Sequence, residues 1–472
     1  LFWIVTVSGA FAVEKKTAQS IVLSDTSAIS ADLLTIGMAD VDAFAGYDGI
    51  GIQLTDIDLA IAMWSEVVAT GTPRTWTTVK AYVGSAEFKG VDGLALAINT
   101  VAIEVNREEA SDGSLVDYVQ GDGETQSTSL EVKVGPTQTV AFDIDDTKGD
   151  YAQVVGNADF NIFDFVTVSG DFGVESSTDQ TAILSDGNSV VADLLTIGLA
   201  NVDAFVGYSG IGLQLLGVNL AVAIWTERTG DKRKWTSVLA GVDSADFVGV
   251  EDLIINVNTL NVEVNRKASD DTVVDYHVGD SETEATDLTV TVGPGETVTF
   301  DLDDEEGDYL QVTGNAVFAY DDYVSISGGF GIEKSDTSIM LADGTDVDAN
   351  LLAIGGSNVD VFAGVNGPAS NDGAMGLSIS GVEFALAIIT PKDGQPSVAD
   401  LSWTGLEVNA DNVSLVGIPE LTLSASDIHV EINRVSGTAD GVEPGTKVVD
   451  FKTTPVDVPT GPGTTLQLGM DS

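Results

Sequence analysis

Ile4-Val5-Thr6-Val7-Ser8-Gly9-Ala10-Phe11 alternates apolar with small or polar residues, the period of a strand that turns one face to a core. The phrase returns as Phe165-Val166-Thr167-Val168-Ser169-Gly170-Asp171-Phe172, and again as Tyr323-Val324-Ser325-Ile326-Ser327-Gly328-Gly329-Phe330. Gly9, Gly170 and Gly328 stand 161 and 158 residues apart, far beyond the roughly 20 to 50 residues of a solenoid repeat. Each copy is therefore domain-sized. Other phrases keep their order inside each copy. Ala31-Asp32-Leu33-Leu34-Thr35-Ile36-Gly37 recurs at 192–198 and, loosened, at 349–355, while Glu104-Val105-Asn106-Arg107 recurs at 263–266 and 431–434.

The same alternation runs through Leu130 to Val134, Leu288 to Val292 and Thr297 to Leu302, broken by Gly-Pro, Asp-Gly and Ser-Gly pairs that favour turns. The expected fold is all-β, built from strands of about five to eight residues in mainly antiparallel pairing. Ser30 to Leu34 and Ser424 to His429 are candidate single helical turns. The copies are expected at 1–161, 162–319 and 320–472, forming an elongated sandwich or a β-solenoid-like rod. No Pro-rich or Gly/Ser-rich linker separates them, which favours a continuous rod over beads on a string. Leu1 aligns with Ile162, inside a copy, so the chain reads as a section of a longer polypeptide, truncated at both ends.

Composition narrows the function. Against 74 Asp plus Glu stand 19 Lys plus Arg, a net charge of −55, which repels nucleic acid and anionic headgroups. No apolar run approaches the length of a membrane helix, so neither nucleic acid nor membrane insertion is expected. Such charge destabilises a compact state unless salt or divalent cations balance it. There is no cysteine and only two histidines, His277 and His429, at non-equivalent places. A zinc centre or a Ser-His-Asp relay repeated in each copy is thereby excluded.

The sharpest polar cluster holds Asp143, Asp145, Asp146 and Asp150, matched by Asp301, Asp303, Asp304 and Asp308. Alternating carboxylates leading into a Gly turn can wrap the six to eight oxygens that calcium takes, so these residues are the candidate Ca2+ ligands. The competing reading is a solvated acidic hairpin that guards a sheet edge. Asp112-Gly113 and Asp343-Gly344, with Asp346 and Asp348, form a weaker set and are turn signals first. Arg107, Arg266 and Arg434 are paired in the same reading with Asp117, Asp275 and Asp450 as intramolecular clamps. Trp76, Trp235 and Trp403 are read as core anchors, with exposed sugar-stacking platforms as the alternative.

These phrases, with Phe247-Val248-Gly249-Val250-Glu251-Asp252-Leu253 and its first-copy version Phe88 to Leu94, make the chain resemble the long repetitive regions of giant acidic secreted bacterial proteins of the hemolysin-type or adhesin-like class. The resemblance implies an extracellular, calcium-associated stalk or filament role at the cell surface and carries over no catalytic residue. The resulting expectation is a non-catalytic structural protein that self-associates into fibres or filaments. The alternative is a multivalent, calcium-dependent module for a glycan or surface ligand.

Overall fold

In the computed structural model, residues 4–47, 50–91, 93–108, 112–119, 127–144, 148–278, 284–302, 307–418, 421–437 and 447–470 are described. They form twenty-three strands: β1 (Ile4–Val22), β2 (Ala28–Tyr47), β3 (Ile50–Glu66), β4 (Thr75–Lys89), β5 (Leu94–Glu108), β6 (Leu130–Lys133), β7 (Thr139–Phe142), β8 (Tyr151–Ile162), β9 (Val166–Ile183), β10 (Ser189–Tyr208), β11 (Ile211–Glu227), β12 (Lys234–Val248), β13 (Leu253–Arg266), β14 (Thr289–Gly293), β15 (Glu296–Thr299), β16 (Tyr309–Tyr320), β17 (Val324–Met340), β18 (Asp346–Val365), β19 (Met375–Pro391), β20 (Leu401–Val416), β21 (Ser424–Gly437), β22 (Val456–Gly461) and β23 (Thr464–Leu468). Seventeen take part in antiparallel sheet pairing that does not close, and six form three separate two-stranded hairpins. The fold is all-β. The segments proposed as helical turns lie in β2 and β21.

Two compact units divide the chain: residues 1–204 with 219–235 and 280–301, and residues 205–218 with 236–279 and 302–472. In the first, β1 pairs with β2, β2 with β3, β3 with β4, β4 with β5, β5 with β8 and β8 with β9. In the second, β12 pairs with β13, β13 with β16, β16 with β17, and the ladder continues strand by strand to β21. The marker phrase falls on β1, β9 and β17, each the first of a block of five long strands, a short hairpin and, in the first two blocks, a closing long strand.

The long strands are longer than the punctuation suggests, at 12 to 20 residues. Several Gly, Asp and Asn residues that look like turn signals are bulges inside continuous strands. Asp40, Asn201 and Asn358 have φ of 49°, 51° and 48°, and Thr100, Thr259 and Asp427 have 52°, 53° and 54°. A bulge adds one residue, re-phases the alternation and strengthens the local twist without ending the strand.

Each hairpin crosses the sheet where the Leu-Thr-Ile-Gly phrase predicts nothing special. A Cβ on Gly37 would stand 2.0 Å from the Lys133 carbonyl oxygen, one on Gly198 2.5 Å from that of Thr291, and one on Gly355 2.4 Å from that of Pro459. Glycine is required there because two backbones meet. Under the crossing lies a core. In the first unit it gathers Ile21, Leu33, Trp64, Trp76, Tyr118, Val132, Phe142 and Tyr151, and in the second Ile339, Leu351, Ile389, Trp403, Phe451 and Val458. The hairpin covers one face of the strands at the crossing, and apolar side chains on the other face, Phe11 and Val13 among them, stay in solvent.

Candidate functional site

The most elaborate chemistry in the chain is a latch that ties a short strap to the sheet at each core. In the first copy the strap is Ser114 to Tyr118, and Val116 forms an antiparallel bridge to Leu23. The Trp76 indole N–H donates to the Ser114 carbonyl at 2.6 Å, and the Asn106 amide Nδ2 donates to the Val116 carbonyl at 3.1 Å. Arg74 stacks 5.3 Å from the Trp76 ring centre while its guanidinium forks onto Glu66 at 2.9 and 2.9 Å, the bidentate geometry that suits a planar cation. Those hydrogen bonds, led by the side-chain bond itself, hold the Glu66 carboxyl below its usual range.

Behind the latch runs a buried relay. The Trp64 indole N–H donates to the Tyr118 hydroxyl at 2.9 Å; that hydroxyl and the Thr78 hydroxyl are 2.9 Å apart; the Thr78 hydroxyl donates to Asn106 Oδ1 at 3.1 Å. Because Asn106 is committed as acceptor from Thr78, the Tyr118 hydroxyl is left to donate to Thr78, and every donor has a taker. Burial of Tyr118 raises its pKa to about 12, against the opposing hydrogen bonds from Thr78 and Trp64. The second copy repeats the inner part: Tyr276 donates to Ser237 at 2.9 Å, Ser237 to Asn265 Oδ1 at 3.0 Å, and Asn265 to the Val274 carbonyl at 2.8 Å.

The third copy gives up the relay as a set. Ile389 stands in place of Trp64, Gly405 in place of Thr78, and Phe451 in place of Tyr118. The exchange is coordinated, since a Cβ on Gly405 would lie 2.5 Å from the Phe451 ring. Removing all the polar partners together avoids buried unsatisfied hydroxyls, each of which costs about 1–3 kcal/mol. Asn433 keeps its strap bond to the Val449 carbonyl at 2.7 Å, but its Oδ1 is left without a hydrogen-bond partner.

This geometry corrects the clamp expected of the Asn-Arg phrase. The asparagine, not the arginine, ties down the strap, because alternation turns Asn106 and Asn265 to the core and Arg107 and Arg266 to solvent. Arg266 reaches Asp308 at 3.3 Å. Asp117 and Asp275 instead accept the backbone N–H groups of Val119 and His277, at 2.9 and 3.0 Å. Trp76, Trp235 and Trp403 are fully buried, so none is a platform for a sugar.

The acidic candidates divide. Asp143 is bound by Lys80, Asp150 accepts the Glu108 N–H at 2.9 Å, and Asp308 accepts from Arg266 and from the Lys267 N–H at 3.4 Å. Asp301 follows the hairpin β14–β15. Asp145, Asp146, Asp303 and Asp304 lie outside the described residues. Among the described residues no group of three or more His, Cys, Asp or Glu side chains is arranged to hold a metal ion.

The acids also have a structural use that their sequence pattern hides. Asp58 Oδ1 accepts the N–H of bulged Asp40 at 3.0 Å, and Asn219 Oδ1 that of Asn201 at 3.1 Å. Asp42 accepts the N–H of bulged Asp56 at 3.2 Å, and Asp360 that of Gly381 at 3.0 Å. The signal was the spacing of Asp40, Asp42, Asp56 and Asp58, legible only once the strands are known to pair through bulges. No family model matches the chain, and neither does any curated protein.

Proposed function

We propose that this chain is a non-catalytic structural protein, a repeat segment of an extracellular bacterial surface fibre or stalk, with salt or calcium balancing its charge. One observation carries the reading: the joint between copies is made of sheet. β8 is hydrogen-bonded along one edge to β5 of its own copy and along the other to β9 of the next, from Tyr151↔Ser177 to Ile162↔Val166. β16 joins β13 to β17 in the same way. The turns between are three residues long, with Asp164 and Asp321 in the left-handed region at φ 58° and 48°. A joint of this kind resists bending as a sheet interior does, where a Gly/Ser linker would behave as a random coil.

Polar side chains at the cores serve the strap, and exposed ones serve bulge and ion-pair bonds, which is the economy of a scaffold. With −55 charges on the chain, bulk cations contribute to stability by screening, and the carboxylate clusters of the sequence that include Asp143 and Asp301 are where calcium would add to that effect. Electron microscopy of the purified chain, with calcium and after chelation, tests the reading. Straight rods or regular fibres are expected. Separate compact particles under both conditions would overturn it.

A further inference from the structure

The third copy departs from the other two at one hairpin end. Between β10 and β11 the turn is two residues, 209–210; between β18 and β19, at the same place in the repeat, it is nine, 366–374. The longer loop is seated on its own sheet. Asp322 accepts the Asn366 N–H on its side chain at 3.0 Å and the Gly367 N–H on its carbonyl at 2.7 Å, and Asn366 Nδ2 donates to the Gly373 carbonyl at 3.1 Å. Gly367 lies against the Phe362 ring, 2.3 Å from where a Cβ would stand. Phe362 is buried as a result, whereas Phe44 and Phe205, at the same position in the first two copies, are half-buried.

The loop walls a cavity of about 370 Å³ with Pro368, Ala369 and Ser370, over a floor made by β17, β18 and β19. Register and alternation set Ser325, Phe362 and Ser378 in one row of that floor and Ser327 and Asp360 in the next, with Ser380 beside them. The floor is opened as well as walled. Gln53 and Gln214 stand at the Ser378 position in the first two copies, so the third has a shorter side chain there. Thr55, at the Ser380 position of the first copy, is spent on the Ser85 hydroxyl at 2.7 Å. Among the described residues, the hydroxyls of Ser325, Ser327, Ser378 and Ser380 are bonded to no other side chain. Asp360 gives Oδ1 to the Gly381 N–H at 3.0 Å, which leaves Oδ2 for a ligand.

We infer that this cavity of the third copy is a binding site for one neutral pyranose sugar residue. Each serine hydroxyl both donates and accepts, as sugar hydroxyls do, and the Asp360 carboxylate takes a charge-assisted bond from one of them. Pro368 and Ala369 offer apolar surface to the C–H groups of the ring. Among the described residues no Lys, Arg or His lines the cavity, and on a chain of charge −55 an anion is repelled. The volume falls within the roughly 300–1,000 Å³ of small-molecule sites, and the loop's own hydrogen bonds fix the wall before a ligand arrives. The site is separate from the sheet joints between copies and does not depend on them.

Saturation-transfer NMR of the full chain tests the inference with glucose, galactose, mannose and N-acetylglucosamine, each free and as its methyl β-glycoside, and with glucuronate as the charged control. Saturable binding of at least one neutral sugar in the millimolar range is expected, with glucuronate bound more weakly. Loss of binding on methylation assigns a free monosaccharide, and retention the end residue of a glycan. Ser378→Gln restores the side chain that the first two copies carry and weakens binding roughly tenfold or more with melting unchanged. Replacing 366–374 by a Ser-Gly turn, as at 209–210, removes the wall and has the same effect. No saturable binding of any of the four neutral sugars, glucuronate bound as tightly as they are, or undiminished binding in Ser378→Gln overturns the inference.

Discussion

Gly381→Asp with Asp411→Gly should recover much of what Gly381→Asp alone destroys. At this bulge the three copies hold one carboxylate and one glycine across neighbouring strands, in either order. The first copy has Asp56 on β3 opposite Gly84 on β4; the second and third have Gly217 opposite Asp243 and Gly381 opposite Asp411. Gly381 has φ of 62°, and a Cβ there would stand 2.2 Å from Asp411 Oδ2, 2.6 Å from its Cγ and 3.0 Å from its Cβ. Rotating the carboxylate cannot clear the last of these. Placing Asp at 381 costs about 1 kcal/mol for a left-handed non-glycine residue, about 1–2 kcal/mol for overlap, and about 1 kcal/mol for two carboxylates at contact in high dielectric. The single variant therefore loses about 3–4 kcal/mol of local stability, and Asp411→Gly alone about 1 kcal/mol, the ordinary penalty of glycine within a strand. The double variant re-creates the Asp56/Gly84 arrangement, sheds overlap and repulsion, and loses only about 2 kcal/mol, a coupling of about 2–3 kcal/mol. Hydrogen exchange of the β19 and β20 amides across the four proteins reads this directly. Losses that add to within about 0.5 kcal/mol would refute the claim that the site holds one side chain only.

Four further outcomes are expected. Tyr118, with its pKa raised by burial to about 12, favours the folded state fully below the unfolded pKa near 10; that contribution, about 3 kcal/mol, is lost between pH 10 and 12. In Tyr118→Phe the unit is weaker at pH 7 by about 1–3 kcal/mol but loses less over that alkaline range, as unfolding titrations will report. Trp76→Ala empties the first core and costs about 3–5 kcal/mol, whereas Arg107→Ala, on an exposed side chain, changes melting by less than about 0.5 kcal/mol. Burial works to raise the Asp336 carboxyl, but hydrogen bonds from Lys392 and Lys267 outweigh it and hold it low; this stabilisation is lost as pH falls through the folded pKa, and Lys392→Met moves the acid transition to higher pH. Sodium chloride and calcium chloride both raise the melting temperature, and a calcium excess at matched ionic strength that disappears in Asp301→Asn with Asp303→Asn would assign the ion to that cluster, while an unchanged profile in either salt would contradict charge balance by cations.

The strand period was legible from Val5-Thr6-Val7 alone, and the block order from the repeated phrases, because alternation and burial are local properties of one strand. Strand length was not. Neighbouring strands absorb Asp40, Thr100 and Asn201 as bulges, whose N–H groups in two cases are taken by Asp58 and Asn219, and pairing of that kind is invisible in a single segment. The buried tryptophans were foreseeable from their repetition. The strap was not, since Asn106 meets Val116 through a loop and the phrase Asn-Arg draws attention to the charge. The coordinated exchange of Trp64, Thr78 and Tyr118 for Ile389, Gly405 and Phe451 lay in plain view but had no meaning until the three side chains were seen in contact.

Neighbouring copies are fused by the pairing of β8 with β9 and of β16 with β17, not strung on linkers. Hydrogen exchange of the backbone amides of β8, β9, β16 and β17 in the intact chain tests this fusion most directly. These amides are expected to exchange in the same slow class as those of β3 and β4, strands inside one copy. Fast exchange across 151–183 and 309–340, with β3 and β4 protected, would contradict it.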